Sequence, residues 1–194
     1  RSKDSVLNLP SRSYRYTLAK QPNGVSADML SKLDSTPKEN PITNAGATLG
    51  RVLFYDKQLS KNNTISCASC HSQKHAFSDP RQFSRGFNGG HTKRNAMSLL
   101  NLRFTNFQGN RPGFFWDERA KTLEEQVLLP IQDNVEMGMK LPELTAKLQK
   151  LGYYPALFKN AFRTPMVTSD RIAKAVAQFM RSMVSFDAKF DRAA

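Results

Sequence analysis

Both cysteines of the chain and two of its three histidines fall in one short window, Ile65-Ser66-Cys67-Ala68-Ser69-Cys70-His71 and then Ser-Gln-Lys-His75. The third histidine, His91, follows closely. Such crowding points to a shared ligand, and four readings compete for it. A disulfide across two intervening residues closes too small a loop to staple a fold. A thioredoxin-type thiol pair needs a preceding strand and a βαβ setting, whereas the flanks here are helical in pattern. Zinc has enough donors in Cys67, Cys70 and two histidines for tetrahedral closure, but His75 and His91 lack the paired spacing of zinc modules. Covalent haem c accounts for every position: two thiols three residues apart on a helical turn can add to the two vinyl groups on one porphyrin edge. The adjacent His71 then lies under the iron as its proximal ligand.

A haem would itself supply core surface, so a loop-rich chain around it is expected. Residues 1 to 44 read as an extended arm rich in Pro, Ser and Asn, with at most a short strand at Tyr14–Leu18. Helical spacing begins near Ala45 and runs to Tyr55. From Phe77 to Gly113 glycines recur (Gly86, Gly89, Gly90, Gly109, Gly113), with one short helix expected at Ala96–Leu100. Thr122 fits an N-cap with Glu125 reaching back, opening a helix that should stop before Pro130. Leu141, Leu144, Leu148 and Leu151 form an apolar stripe with Pro142 in its first turn. A further helix is expected over Tyr153–Phe162. The longest starts near Ser169 and presents Ile172, Val176, Phe179, Met180 and Met183 on one face. The expected fold is therefore mainly α, one haem domain over 45–194 behind the arm.

The chain has 194 residues, 29 basic against 16 acidic, for a formal charge of +13. Every charged residue from Arg81 to Arg111 is positive: Arg81, Arg85, Lys93, Arg94, Arg103 and Arg111. This is either a surface that attracts an anionic partner or a cofactor's carboxylates, or an ordinary solvated basic surface. Zinc-finger spacing and RNP-like strands are missing, which disfavours nucleic acid. No apolar run approaches the ~20 residues that cross a bilayer, and Arg1-Ser-Lys-Asp starts no signal peptide. Haem c is normally attached outside the cytoplasm, so a periplasmic protein whose signal peptide is absent from the sequence is expected.

From Leu49 to Asp191 the sequence resembles the bacterial di-haem cytochrome c peroxidases and their MauG-like relatives. The resemblance is carried by Leu49-Gly-Arg-Val-Leu-Phe-Tyr-Asp56, Ile65-Ser-Cys-Ala-Ser-Cys-His71, Phe77-Ser-Asp79, Arg94-Asn95, Phe115-Trp-Asp-Glu-Arg-Ala120, Leu123-Glu-Glu-Gln126, Pro130-Ile131 and Val135-Glu-Met137, in that order. It implies the family's N-terminal, peroxidatic half, a cytochrome c-like domain with one covalent haem. Gln126, Pro130 and Glu136 fall on its distal-pocket residues, Glu136 as the acid–base group. Trp116 resembles the residue between the two haems, where it assists electron transfer. Arg94 is a candidate propionate contact, and Asn95 matches a calcium ligand at the domain junction.

Three departures matter. Family members with a distal histidine place it in the glycine-rich loop before Arg-Asn. The matching position here is near Phe87, so His91 is a distal ligand only if the loop folds differently. Glu118 stands where the family commonly has glycine, and only one Cys-X-X-Cys-His is present. The resemblance therefore implies a fragment lacking the C-terminal, second-haem domain. Expected partners are hydrogen peroxide, a small electron donor of cytochrome c or cupredoxin type, that second domain and, as a homodimer, a second copy of the chain. The alternatives are a MauG-like enzyme that oxidises a protein substrate and a mono-haem electron-transfer module.

Overall fold

The computed structural model describes Leu7, Leu9, Pro10 and residues 14–17, 26–106, 113–186 and 188–189. Its helices are α1 (Ala27–Leu33), α2 (Asn44–Tyr55), α3 (Cys67–Cys70), α4 (Leu123–Gln132), α5 (Leu141–Lys150), α6 (Tyr153–Phe162) and α7 (Ser169–Ser182). Among the described residues no strand forms, and three isolated bridges, Ser72–Ser78, Arg85–His91 and Phe114–Ala120, pin the loops.

The core is organised around α7. Its N-cap Thr168 accepts from Arg171 N, and Ile172, Ala175, Val176 and Ala177 are each about 1% exposed or less. Helix α2 lies along it, and contact is close because of a glycine: a Cβ on Gly50 would stand 1.9 Å from the Ala175 carbonyl oxygen. Helix α4 also packs on α7, α6 on α2, and α5 bridges α6 and α7.

A buried polar network crosses the same core. Gln178 Oε1 accepts from Thr43 N and Oγ1 at 2.9 and 3.0 Å, while its Nε2 donates to Asn40 Oδ1 at 2.8 Å. Asn40 Nδ2 in turn donates to Glu124 Oε1 at 2.6 Å, and Arg181 binds both Glu124 oxygens at 2.6 and 2.9 Å. Burial opposes the charge on Glu124, yet the Arg181 hydrogen bonds and charge hold its carboxyl below the usual range. The network pins the first turn of α4 to α7.

Several local expectations are corrected. Residues 96–99 form no helix, because the loop before them takes their polar groups. Ala96 O accepts from Ser78 Oγ, and Ser98 Oγ donates to Ala76 O, both at 2.6 Å. Helix α4 does not stop before Pro130 but continues to Gln132, with Pro130 inside its last turns. Burial of Ile131, 1% exposed, favours that extra turn over the lost bond. The Thr122 cap forms, but Glu125 reaches Lys121 N at 2.9 Å rather than the backbone of Thr122.

Tyr16 and Thr17 form a turn instead of a strand, with Leu18 outside the described residues, as are Gly109 and Arg111. The stretch expected to be an arm contains α1 and touches the core: Tyr16 N donates to Asn44 Oδ1 at 2.9 Å, and its ring meets Phe179 edge-on.

Candidate haem cleft

Helix α3 is one turn long and sits between Ser66, whose N–H donates to Ser69 Oγ at 3.0 Å, and a tight loop. In that loop Phe77 N donates to Ser72 O (2.8 Å), Ser72 N to Ser78 O (3.1 Å) and Ser78 N to His75 O (3.0 Å). Ala76 and Phe77 both adopt left-handed backbone, φ 54° and 55°, which costs roughly 1–2 kcal/mol per residue outside glycine. The loop closes around His71: its Nδ1 lies 2.9 Å from the Phe77 carbonyl oxygen. A carbonyl only accepts, so Nδ1 carries the proton and Nε2 keeps its lone pair for a metal. Burial pushes the His71 imidazole toward the neutral form, opposed by the carbonyls of Phe77 and Met97.

Across from His71 the chain builds a second wall from α4 and the turn after it. Asp133 Oδ1 accepts from Val135 N at 2.8 Å and Glu136 N at 3.0 Å, and Gly138 N returns to Asp133 O at 2.8 Å. Gly138 has φ +63°, and any Cβ there would meet the Phe87 ring at 2.5 Å. Phe87 N donates to Glu136 O at 3.0 Å and Lys61 N to Met137 O at 2.9 Å. Burial raises the Glu136 carboxyl to about 7, helped by the Asp133 charge and opposed by Arg119.

Between these walls lies a cleft of about 540 Å³, counted to its open mouth. Cys67, Cys70, His71, Gln126, Pro130 and Glu136 all line it, with Phe54, Leu99, Val127 and Met180 among its apolar surfaces. Both cysteines are free. Burial pushes the Cys67 thiol up to about 12 and raises Cys70 as well. Thiols of suppressed acidity do not make a thioredoxin-type couple. Among the described residues no group of three or more His, Cys, Asp or Glu is placed to hold a metal ion, so the zinc reading lacks a ligand set. Two thiols three residues apart, an imidazole held through Nδ1 and apolar walls in one cleft fit a covalently held haem.

The other predicted residues lie outside this cleft's lining. His91 is exposed and bridges Arg85, and His75 is also exposed. Arg94 pairs with Asp117 at 2.9 Å. Trp116 is 59% exposed and donates from Nε1 to Asn95 O at 3.0 Å. The Asn95 amide nitrogen donates to the carbonyls of Asp79 (3.2 Å) and Arg81 (2.7 Å), which leaves Oδ1 as the atom a cation would use. Glu118 has φ +53°, which explains why glycine suits its position. Sequence reasoning missed Phe77, Asp133, Gly138 and Arg119, since each acts through backbone shape or nearness in space. Met180 looked like core packing and also lines the cleft.

Comparison with known proteins follows this geometry. Residues 44–194 match the family model described as di-haem cytochrome c peroxidase. Among curated relatives, a methylamine utilization protein MauG of Methylophilus methylotrophus is 38% identical over 156 residues, 80% of this chain and 45% of that protein. A cytochrome c551 peroxidase of Nitrosomonas europaea is 36% identical over 146 residues, 75% of this chain and 42% of that protein. Among solved structures, a MauG-like protein associated with microbial copper homeostasis superposes with TM-score 0.72 at 35% identity, covering 82% of this chain and 46% of that one. The fold and site thus define a cytochrome c-like haem domain. The chain belongs to the di-haem cytochrome c peroxidase family. It spans less than half the length of the two curated relatives.

Proposed function

We propose that the chain is the peroxidatic haem c domain of a periplasmic enzyme that reduces hydrogen peroxide to water with electrons from a small cytochrome c or cupredoxin-type donor. One observation carries this reading: the attachment cysteines, His71 and the acid–base candidate Glu136 line a single cleft. The haem, when bound, supplies the redox chemistry at the O–O bond. Cys67 and Cys70 would hold its edge, and His71, oriented by the Phe77 carbonyl, would be its iron ligand.

Glu136 takes the proton from one peroxide oxygen and returns it to the other, a transfer for which a carboxyl near 7 is well matched at neutral pH. The Gln126 amide orients peroxide by hydrogen bonding. Pro130 and Val127 keep that face apolar and bring no coordinating atom to it.

The test is the optical spectrum of the ferric, haem-loaded protein before and after peroxide. A rapid spectral change supports the reading, and an unchanged low-spin spectrum, as a mono-haem carrier would give, overturns it. A MauG-like oxidation of a protein substrate is the second reading, favoured by the similarity to MauG proteins. Peroxide-dependent modification of a candidate protein substrate, with no turnover of reduced small donors, would select it.

A further inference from the structure

On α6, Tyr154 is fully buried, 0% exposed, and Tyr153 half-buried. Their rings lie 4.6 Å apart between centroids at 37°. Both hydroxyls donate to the same oxygen of one carboxylate: Tyr154 to Asp56 Oδ2 at 2.7 Å and Tyr153 at 3.0 Å. The other Asp56 oxygen caps the next turn, accepting from Gln58 N at 2.8 Å. Two phenols, on consecutive residues of α6, thus converge on one acceptor at the end of α2.

Tyr154 belongs to the apolar core against which Cys67 packs, and α2 packs on both α6 and α3. Helix α2, on which α6 packs, contributes Phe54 to the cleft wall. Burial, reinforced by the Asp56 charge, raises both phenols far above the usual range. Neither loses its proton by ordinary ionisation, so proton loss must accompany loss of an electron.

We propose that Tyr154 and Tyr153, with Asp56 as their common proton acceptor, form a redox-active pair that conducts oxidising equivalents from the haem cleft toward the surface. The proposal rests on the peroxidase reading, because hydrogen peroxide acting at the haem is the oxidant. Tyr154 gives one electron to the cleft while its O–H bond breaks and the proton bonds to Asp56 Oδ2, leaving a neutral phenoxyl and a neutral carboxyl. Tyr153 then gives one electron to Tyr154. In the same exchange Asp56 returns its proton to Tyr154 and accepts the one from Tyr153. A small one-electron reductant outside the protein reduces Tyr153, the proton returns from Asp56, and the pair is restored. Each cycle supplies one of the two electrons that peroxide reduction consumes.

The experiment uses haem-loaded protein, mixed with hydrogen peroxide without added donor, freeze-quenched and read by electron paramagnetic resonance while haem absorbance is followed. A radical whose hyperfine pattern changes on tyrosine deuteration is expected. Tyr153→Phe should leave an altered signal on Tyr154, Tyr154→Phe should remove it, and Asp56→Asn should lower its yield. Peptide mass spectrometry of oxidised wild-type protein, independent of any variant, should place the modification on Tyr153. A haem that responds to peroxide while the signal ignores tyrosine deuteration, survives both Phe variants, or marks the exposed Tyr14 and Tyr55 instead overturns the relay alone. A haem that does not respond overturns the peroxidase reading and the relay with it.

Discussion

The two walls of the cleft are built by different means. The attachment wall comes from five consecutive residues, Cys67 to His71, fixed by hydrogen bonds that span only a few positions. The opposite wall draws Gln126 and Pro130 from a helix and Glu136 from a turn, and that turn is clamped by Phe87 and Lys61 from distant loops. One wall is local and, on the proposed function, would hold the haem; the other is tertiary and would set its reactivity. Damage to the first should therefore abolish loading, whereas damage to the second should leave a loaded protein that reacts poorly.

The largest expected effect tests the local wall. Replacing Cys67 and Cys70 together by serine should eliminate covalent haem, read as haem-stained protein after denaturing electrophoresis. Retained covalent haem would break the contrast between the walls. On the tertiary wall, Glu136→Gln should slow the peroxide-induced spectral change by about 100- to 10,000-fold, the range for a lost acid–base group, with haem content unchanged. Equal rates would remove Glu136 from the chemistry.

The same residue sets a pH dependence. Accepting a proton requires the ionised carboxylate, so the wild-type rate should climb as pH rises through about 7, and the Gln variant should be flat. Because the folded value lies above the ordinary 4.5, the contribution of Glu136 to stability is intact below about 4.5 and lost as pH rises through about 7. Thermal melts of wild type against Glu136→Gln across that window should show the wild type losing ground.

A smaller effect probes how α4 is held. Arg181→Met leaves the half-buried Glu124 carboxylate without its bidentate partner. Breaking such a pair costs about 3–5 kcal/mol, visible in denaturant unfolding, whereas a loss within error would show that Asn40 alone suffices. Smallest of all, Glu118→Gly should stabilise the protein by about 1 kcal/mol, since φ +53° favours glycine. Its peroxide reactivity should not move.

Much of the helical frame was legible, because α5, α6 and α7 carry apolar residues at helical period and α7 has a clear N-cap. The grouping of Cys67, Cys70 and His71 at one cleft was legible because these residues lie in one stretch of chain. The missed elements had a common cause. A helix at 96–100 satisfies local propensity, but Ser78 and Ala76 bind those polar groups from outside. Likewise, stopping a helix before proline is sound local advice, and the buried Ile131 overrides it.

By itself the sequence determined that two thiols and an imidazole stand together on one turn, and that the chain around them is mainly helical. Spacing suffices for that, since covalent geometry and helical period act over a few residues. That Glu136 shares a cleft with His71 was expected only through the family resemblance and is visible only in the tertiary structure, as is the sharing of one Asp56 oxygen by two tyrosines. Those relations depend on burial and on contacts between segments far apart in the chain, where local pattern carries no information.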